Sequence, residues 1–308
     1  MKLFVDTKRI SSNSWNIGHG NKISHLFFVL NLAEKLGVKP ILTANSSLDS
    51  IFDLSAIKKT EESDEVVDCI YEEQSAFLEL NLLQKALSKL GIFLSVNDSL
   101  KKVIERSLRQ KKEEQELLQT LPKFEEGYAK GHFWHYQLMP SEKTLNKHIN
   151  IKPSILEECI AKYPDLRDKN SVMVHLRDTD FNSHLRHIFK KSIALPEEYY
   201  SKSIELCESK LGPNLKYHLF SDNREKITNI FKGKNYVLHE DNAAMDWACL
   251  YQGENIIQSN SSFCWTASLF KKFSIQPAGG YNWAYSRLGS VPHGFEMPFS
   301  QLINLNLD

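Results

Sequence analysis

Short apolar runs alternate with amphipathic stretches through the second half of the chain. The runs stand at Val172–Leu176, Tyr217–Phe220, Tyr236–Leu238, Asn255–Gln258 and Phe273–Gln276. Each is too short for a helix and reads as a buried strand. Between them, Pro196–Leu211, Asn223–Phe231, Ala243–Tyr251 and Ser262–Lys272 carry helical spacing. After the first unit the strands recur about every 20 residues, the rhythm of βα units in a parallel sheet.

The first half is less regular. A turn-rich stretch, Ser11 to Asn21, leads into Ile23, Leu26, Phe27, Leu30 and Ala33 at helical spacing, with Gly37 where a C-terminal cap belongs. Pro40–Thr43 reads as a short strand. Residues 58–126 are rich in Lys, Glu, Leu and Ser, and their pattern predicts several amphipathic helices. Within them Lys101–Glu126 mixes seven bases with six acids, the signature of a solvated helix face. Met139-Pro140 and Lys152-Pro153 interrupt regular structure and place a boundary near 140–152. The expectation is an α/β protein of two Rossmann-like domains facing a cleft. Residues 1–150 form the first, with a helical insertion at 58–126, and residues 151–308 the second.

Length and charge narrow the function. The chain has 308 residues, enough for two cores. With 38 basic and 38 acidic side chains it lacks the basic excess of a nucleic-acid binder. No run of 18 apolar residues is present, so no integral membrane segment is expected. Asp6 interrupts the N-terminal apolar residues where a signal peptide needs continuity. Five scattered cysteines without a C-x-x-C pair read as reduced thiols, and the expected location is cytoplasmic. The eleven histidines form no H-x-x-x-H or H-E-x-x-H, so no zinc centre is expected.

Ligands of a doubly wound sheet sit beyond the C-terminal ends of its strands. Here those ends read His175-Leu176-Arg177-Asp178-Thr179-Asp180, Phe220-Ser221-Asp222-Asn223 and Ser259-Asn260-Ser261-Ser262. A guanidinium fork suits phosphate oxygens, and a helix N-terminus offers free N–H groups to an anion. Serines at a helix start also serve as plain N-caps, so the combination carries the pyrophosphate reading.

Taken in order, these segments resemble the α-1,2-fucosyltransferases, which share motifs with the α-1,6- and protein-O-fucosyltransferases. Gly18-His19-Gly20-Asn21-Lys22 is similar to the family's G-x-G-N-Q, and Gly131-His132-Phe133-Trp134 to its G-Y-F-Q. His175 to Asp180 resembles H-x-R-R-x-D, and Leu195-Pro196-Glu197-Glu198-Tyr199-Tyr200 resembles L-P-x-x-Y-Y. Phe220 to Asn223 resembles F-S-D-D, and Ser259 to Trp265 resembles S-N-S-S-F-S-W-W.

The resemblance implies a GT-B-type glycosyltransferase. It would move L-fucose from GDP-fucose to a hydroxyl of a glycan or glycolipid, with a galactoside in α-1,2 linkage as the expected acceptor, with inversion and without metal or cofactor. Arg177 would contact the β-phosphate, and His175 and Asp246 the guanosine. Ser261, Ser262 and the backbone of Phe263 would hold phosphate oxygens. Gly18, His19, Gly20 and Asn21 would line the cleft, with Ser221, Asp222 and Asn223 at a neighbouring strand end. Peripheral contact with a membrane would serve a lipid-linked acceptor.

The chain departs from the pattern at three places: Asp178 replaces the second arginine, Lys22 the glutamine, and Thr266 the second tryptophan. Lys22 is a candidate source of the lost positive charge. Asp178-Thr179-Asp180 also forms an Asp-x-Asp triplet, which in other sugar-nucleotide transferases binds a divalent metal. A metal-dependent transferase of another nucleotide sugar and a silent nucleotide- or glycan-binding protein are therefore the alternatives. Inversion needs a base for the acceptor proton. Asp180, His184 and His19 are the candidates, with Asp180 equally suited to orienting Arg177. The aromatic run Phe133-Trp134-His135-Tyr136 reads as junction packing more than as a sugar platform.

Overall fold

The computed structural model of the chain describes residues 2–5, 18–43, 47–60, 69–72, 126–130, 136–179, 192–278 and 297–305. Two parallel sheets organise them. The first orders its five strands β4-β2-β1-β6-β5, from β1 (Lys2–Val5), β2 (Pro40–Thr43), β4 (Lys58–Thr60), β5 (Cys69–Glu72) and β6 (Glu126–Lys130). A two-stranded antiparallel ribbon pairs β3 (Phe52–Asp53) with β7 (Asn150–Ile151).

The second sheet is built from β8 (Ser171–Leu176), β9 (Lys216–Ser221), β10 (Tyr236–Leu238), β11 (Asn255–Ile257), β12 (Phe273–Pro277) and β13 (Gln301–Ile303). Its order is β10-β9-β8-β11-β12-β13, all parallel. Counted along the chain this is 3-2-1-4-5-6, the doubly wound order whose topological switch point falls between the first and fourth strands, here β8 and β11.

Seven helices among the described residues surround the sheets. They are α1 (His19–Leu36), α2 (Glu142–His148), α3 (Pro153–Lys162), α4 (Glu197–Leu211), α5 (Arg224–Ile230), α6 (Ala243–Gln252) and α7 (Ser262–Ser268). Their ends follow local chemistry. Asn223 accepts from Lys226 N–H to start α5, and Asn242 accepts from Ala244 and Met245 N–H to start α6. At the end of α1, Gly37 takes φ 64°. Its N–H donates to Glu34 C=O and that of Val38 to Ala33 C=O, a Schellman close that favours glycine.

Strand β8 is buried along its whole length, and alternation sends its side chains to two cores. Val172, Val174 and Leu176 join Tyr199, Tyr200, Ile204 and Cys207. Met173 faces the other way, into a core shared by α1, α6 and α7. There Phe27 meets Trp247 edge to face at 6.5 Å, and Phe52 meets the same ring at 5.1 Å. The helix after the first strand is thus packed on the second sheet, and one apolar core crosses residue 150. Cys159 and Cys249 touch in that core with sulfurs 3.2 Å apart, both free thiols.

Two sequence expectations change. Within 58–126, the described residues 58–60, 69–72 and 126 are strands of the first sheet, not helices; the remainder of that region lies outside the described residues. These strands are specified by pairing with β2 and β6, which no local periodicity records. The last helix stops at Ser268 instead of Lys272. Lys272 N–H is drawn to Glu254 C=O, while the Lys271 ammonium caps the end of α6 on the carbonyls of Tyr251 and Gly253. Among the described residues, no helix is long and apolar enough to cross a membrane.

Candidate functional site

The switch point between β8 and β11 is where the polar segments gather. At the end of β11 the chain turns through Ser259, Asn260 and Ser261, all buried, into the first turn of α7. The first turn of α1 abuts it. A Cβ placed on Gly20 would stand 2.4 Å from Phe263 N and 2.6 Å from Ser262 C, so only glycine lets the two helix starts meet backbone to backbone. Beside that contact the Ser262 hydroxyl donates to Asn21 Oδ1 at 2.6 Å. Gly18 is the N-cap of α1, and His19 is half-buried, with its imidazole held below the usual range by burial and by Lys22.

On the β8 side, His175 Nδ1 lies 2.7 Å from the Ser259 hydroxyl, and the ring lies 5.6 Å from that of Phe263. Burial, then the nearby Arg177 charge, lowers its pKa to about 3. It is a neutral imidazole at any physiological pH. Arg177 follows, more than a third exposed, with Nε 3.5 Å from Asp222 Oδ2.

Asp178 is turned inward. Its carboxylate accepts from Lys226 Nζ at 2.6 Å and Asn223 Nδ2 at 2.8 Å. The charge that stands in place of an arginine is therefore neutralised by Lys226. Asp222 in turn accepts from the backbone N–H of Asp178 and Thr179 and from the Thr179 hydroxyl. Ser221 accepts from Asn223 N–H and donates to Asn223 C=O. Ser221, Asp222 and Asn223 thus brace the turn that carries Arg177. Thr266, at the second tryptophan position, accepts from Trp247 Nε1 and donates back to its own helix.

Asp246, in the first turn of α6, belongs to an adjacent corner. Its Oδ1 is buried without a hydrogen-bond partner. Burial and the neighbouring Asp241 raise its pKa to about 7, against the pull of Arg224 and Lys162. A half-buried carboxylate with an unfilled acceptor suits a ligand that brings N–H groups.

The structure thus joins Gly20 and Asn21, at the helix start that carries Gly18 and His19, with Ser262 and Phe263. It sets His175 against Phe263, with Arg177 close enough to lower the imidazole's pKa. Asp180, His184 and the run 133–135 lie outside the described residues; Tyr136 packs edge to face on Phe299 at 5.8 Å. Lys226, Ser259 and Asn260 were not singled out individually by sequence reasoning. Asn260 Nδ2 holds Ile193 C=O at 2.8 Å and so ties down the segment entering α4. Partners 48, 84 and 67 residues apart leave no local signal.

No protein-family model and no curated protein matches the chain. Solved structures do. The NodZ α-1,6-fucosyltransferase soaked with GDP-fucose aligns over 88% of this chain and 92% of its own, at 15% identity and a TM-score of 0.50. The selenomethionine form of NodZ from Bradyrhizobium gives the same figures. POFUT1 in complex with GDP-fucose aligns over 87% and 92% at 12% identity, with a TM-score of 0.45. At such identity the likeness is one of fold: the chain shares the α/β architecture of the NodZ fucosyltransferase.

Proposed function

We propose that this chain transfers L-fucose from GDP-fucose to a hydroxyl of a glycan or glycolipid acceptor, a galactoside in α-1,2 linkage. Inversion occurs at the sugar, and no metal takes part in the chemistry. The carrying observation is the meeting of two helix starts at Gly20, beside Arg177 and His175 at the switch point of the second sheet. The fold of NodZ, whose structure was solved with GDP-fucose, supports the donor. Residues 1–150 form the acceptor side and residues 151–308 the donor side.

In this reading the acceptor oxygen attacks the fucose C1 while the bond from C1 to the phosphate oxygen breaks and GDP departs. Negative charge grows on the leaving phosphate. The Arg177 guanidinium and the start of α7 face that charge, the Phe263 N–H, capped by Ser261 Oγ at 3.4 Å, turning to phosphate when GDP-fucose binds. Donors so placed lower a barrier by electrostatic stabilisation. Neutral His175, held by Ser259, and Asp246 meet the guanosine, the carboxylate accepting guanine N–H hydrogens. Asp180 or His184 takes the acceptor proton. The Asp178 carboxylate, engaged by Lys226 and Asn223, counts against a metal triplet at 178–180. Its neutralisation by Lys226 removes a negative charge from beside the proposed phosphate, which favours an active enzyme over a silent protein.

Arg177→Ala should cut transfer by about a hundredfold or more with the fold intact. Transfer near the wild-type rate would overturn the assignment. GDP and GDP-fucose should raise the melting temperature with or without chelator, by about 2.7 kcal/mol of stability at a hundred times Kd. A response confined to UDP-sugars with Mn²⁺ would favour the metal-dependent alternative.

A further inference from the structure

The corner where β10 leads into α6 gathers polar atoms of which the fucosyl reading uses Asp246 but neither His239 nor Asp241. Side-chain ligand atoms of His239, Asp241 and Asp246 lie within 4.8 Å of one another. His239 is 2% exposed, and its ring is clamped between Tyr163, at 3.8 Å between centroids, and Phe220, at 4.0 Å. His239 Nδ1 and Asp246 Oδ1 are both buried without a hydrogen-bond partner.

The neighbours fix where the protons sit. His239 Nε2 lies 3.0 Å from His218 Nδ1, and His218 Nε2 faces Asp165 Oδ1 at 3.7 Å. At 3.7 Å that contact is too long for a hydrogen bond, and His218 Nε2 is buried without a partner, but the carboxylate's charge still favours the hydrogen on Nε2, with Nδ1 accepting. His239 must then donate from Nε2, which leaves Nδ1 a bare lone pair. Asp241 accepts from Lys162 and from the Tyr163 hydroxyl, one on each oxygen, and each oxygen keeps a second lone pair. One imidazole nitrogen and two carboxylates thus confront one another as acceptors.

We propose that His239, Asp241 and Asp246 bind one divalent transition-metal ion of the zinc class, in a structural role. A mixed nitrogen and carboxylate set suits zinc, cobalt or manganese, whereas magnesium and calcium favour all-oxygen shells. The Asp165–His218 relay is the outer support that orients a metal-binding histidine. The ion would pin the end of β10 to the first turn of α6. Asp246 Oδ1 would face it, so a guanine N–H under the proposed function would have to be met by the other carboxylate oxygen. The spacing His239-x-Asp241-x₄-Asp246 matches none of the histidine patterns sought in the sequence.

The test uses the full chain, stripped with chelator and then freed of it. Zn²⁺ is titrated calorimetrically and Co²⁺ by its visible absorption. The expected result is one ion per chain. His218→Gln should weaken it about 10- to 100-fold, and His239→Gln or Asp241→Asn by more. His148→Gln, at an exposed ion pair with Glu34, should bind as wild type. The proposal is overturned if wild type shows no saturable one-to-one binding, or if Asp241→Asn and His239→Gln bind normally. Mg²⁺ binding as tightly as Zn²⁺ would also overturn it. If His239→Gln fails to fold, Asp241→Asn decides. GDP binding is read separately, so loss of the fucosyl reading leaves this result standing.

Discussion

Two neighbouring corners of the second sheet each set a buried or half-buried aspartate beyond a strand end, and they treat it in opposite ways. At the β8–β9 corner, Asp178 has Lys226 at 2.6 Å and Asn223 at 2.8 Å, and Asp222 collects the surrounding N–H groups. At the β10–α6 corner, Asp246 has a buried oxygen with no partner and a pKa of about 7. A closed polar network is scaffold, because every desolvated group already has its hydrogen bond. An open one stores a desolvation cost that only a ligand relieves. The difference separates the part of the site that carries Arg177 from the part that awaits a bound partner.

Breaking the closed corner should have the largest effect. Asp178→Ala leaves the Lys226 charge, 24% exposed, and the Asn223 amide without their acceptor. Removing one partner of a part-buried, hydrogen-bonded charge pair costs about 2–3 kcal/mol. Urea denaturation should show the midpoint falling with an unchanged slope; a loss under about 1 kcal/mol would mean the corner is not closed. Asp178→Arg should destabilise as well, since it sets a second cation against Lys226. Next in size is Gly20→Ala. Its methyl meets backbone atoms that cannot rotate away, and overpacking of this kind costs about 1–3 kcal/mol. GDP binding should weaken along with stability. A variant as stable as wild type would mean that α1 and α7 do not meet as described.

The contrast between the corners also explains what the sequence disclosed. The strands at Tyr236–Leu238 and Pro40–Thr43 were legible residue for residue, because an apolar run flanked by turn residues is a local signal. So were the helix starts at Ala243 and Ser262, which the structure caps with Asn242 and Ser261. Strands β4, β5 and β13 were not read, since pairing partners specify them. Arg177, His175 and Ser262 were legible as motif positions. The roles of Asp178 and Lys226 were not, because the ion pair that decides them joins two strand ends through the fold. His239 went unread for the same reason: its significance lies in Asp246 and His218, brought to it by packing.

The acid limb of stability sharpens the comparison further. His175 has a folded pKa of about 3 against an unfolded value near 6.5, so it stays neutral in the native state while the unfolded chain takes up a proton. Its contribution is complete above pH 6.5 and is lost as pH falls toward 3. The slope is at most about 1.4 kcal/mol per pH unit for this one group. His175→Gln should flatten the stability profile between pH 6 and about 4 by that amount. An unchanged slope would mean that the imidazole is protonated in place.

The smallest expected effect is the most discriminating, because its sign differs between the corners. Asp246 has its native pKa raised to about 7, above the unfolded value of 3.8. The unfolded chain ionises first, so the stability this group lends at low pH is lost as pH rises from 3.8 through 7. Asn cannot ionise. In metal-free buffer at pH 8, Asp246→Asn should therefore be more stable than wild type, by on the order of 1 kcal/mol, with the gap closing toward pH 4. Under the proposed function GDP affinity should move the other way, because the variant would present an amide to guanine N–H groups in place of a carboxylate. Asp178→Asn should show no such gain, having traded a paired carboxylate for a weaker acceptor. If Asp246→Asn is the less stable protein at pH 8, the open corner is closed by partners within the chain, and the division between scaffold and ligand site fails at this residue.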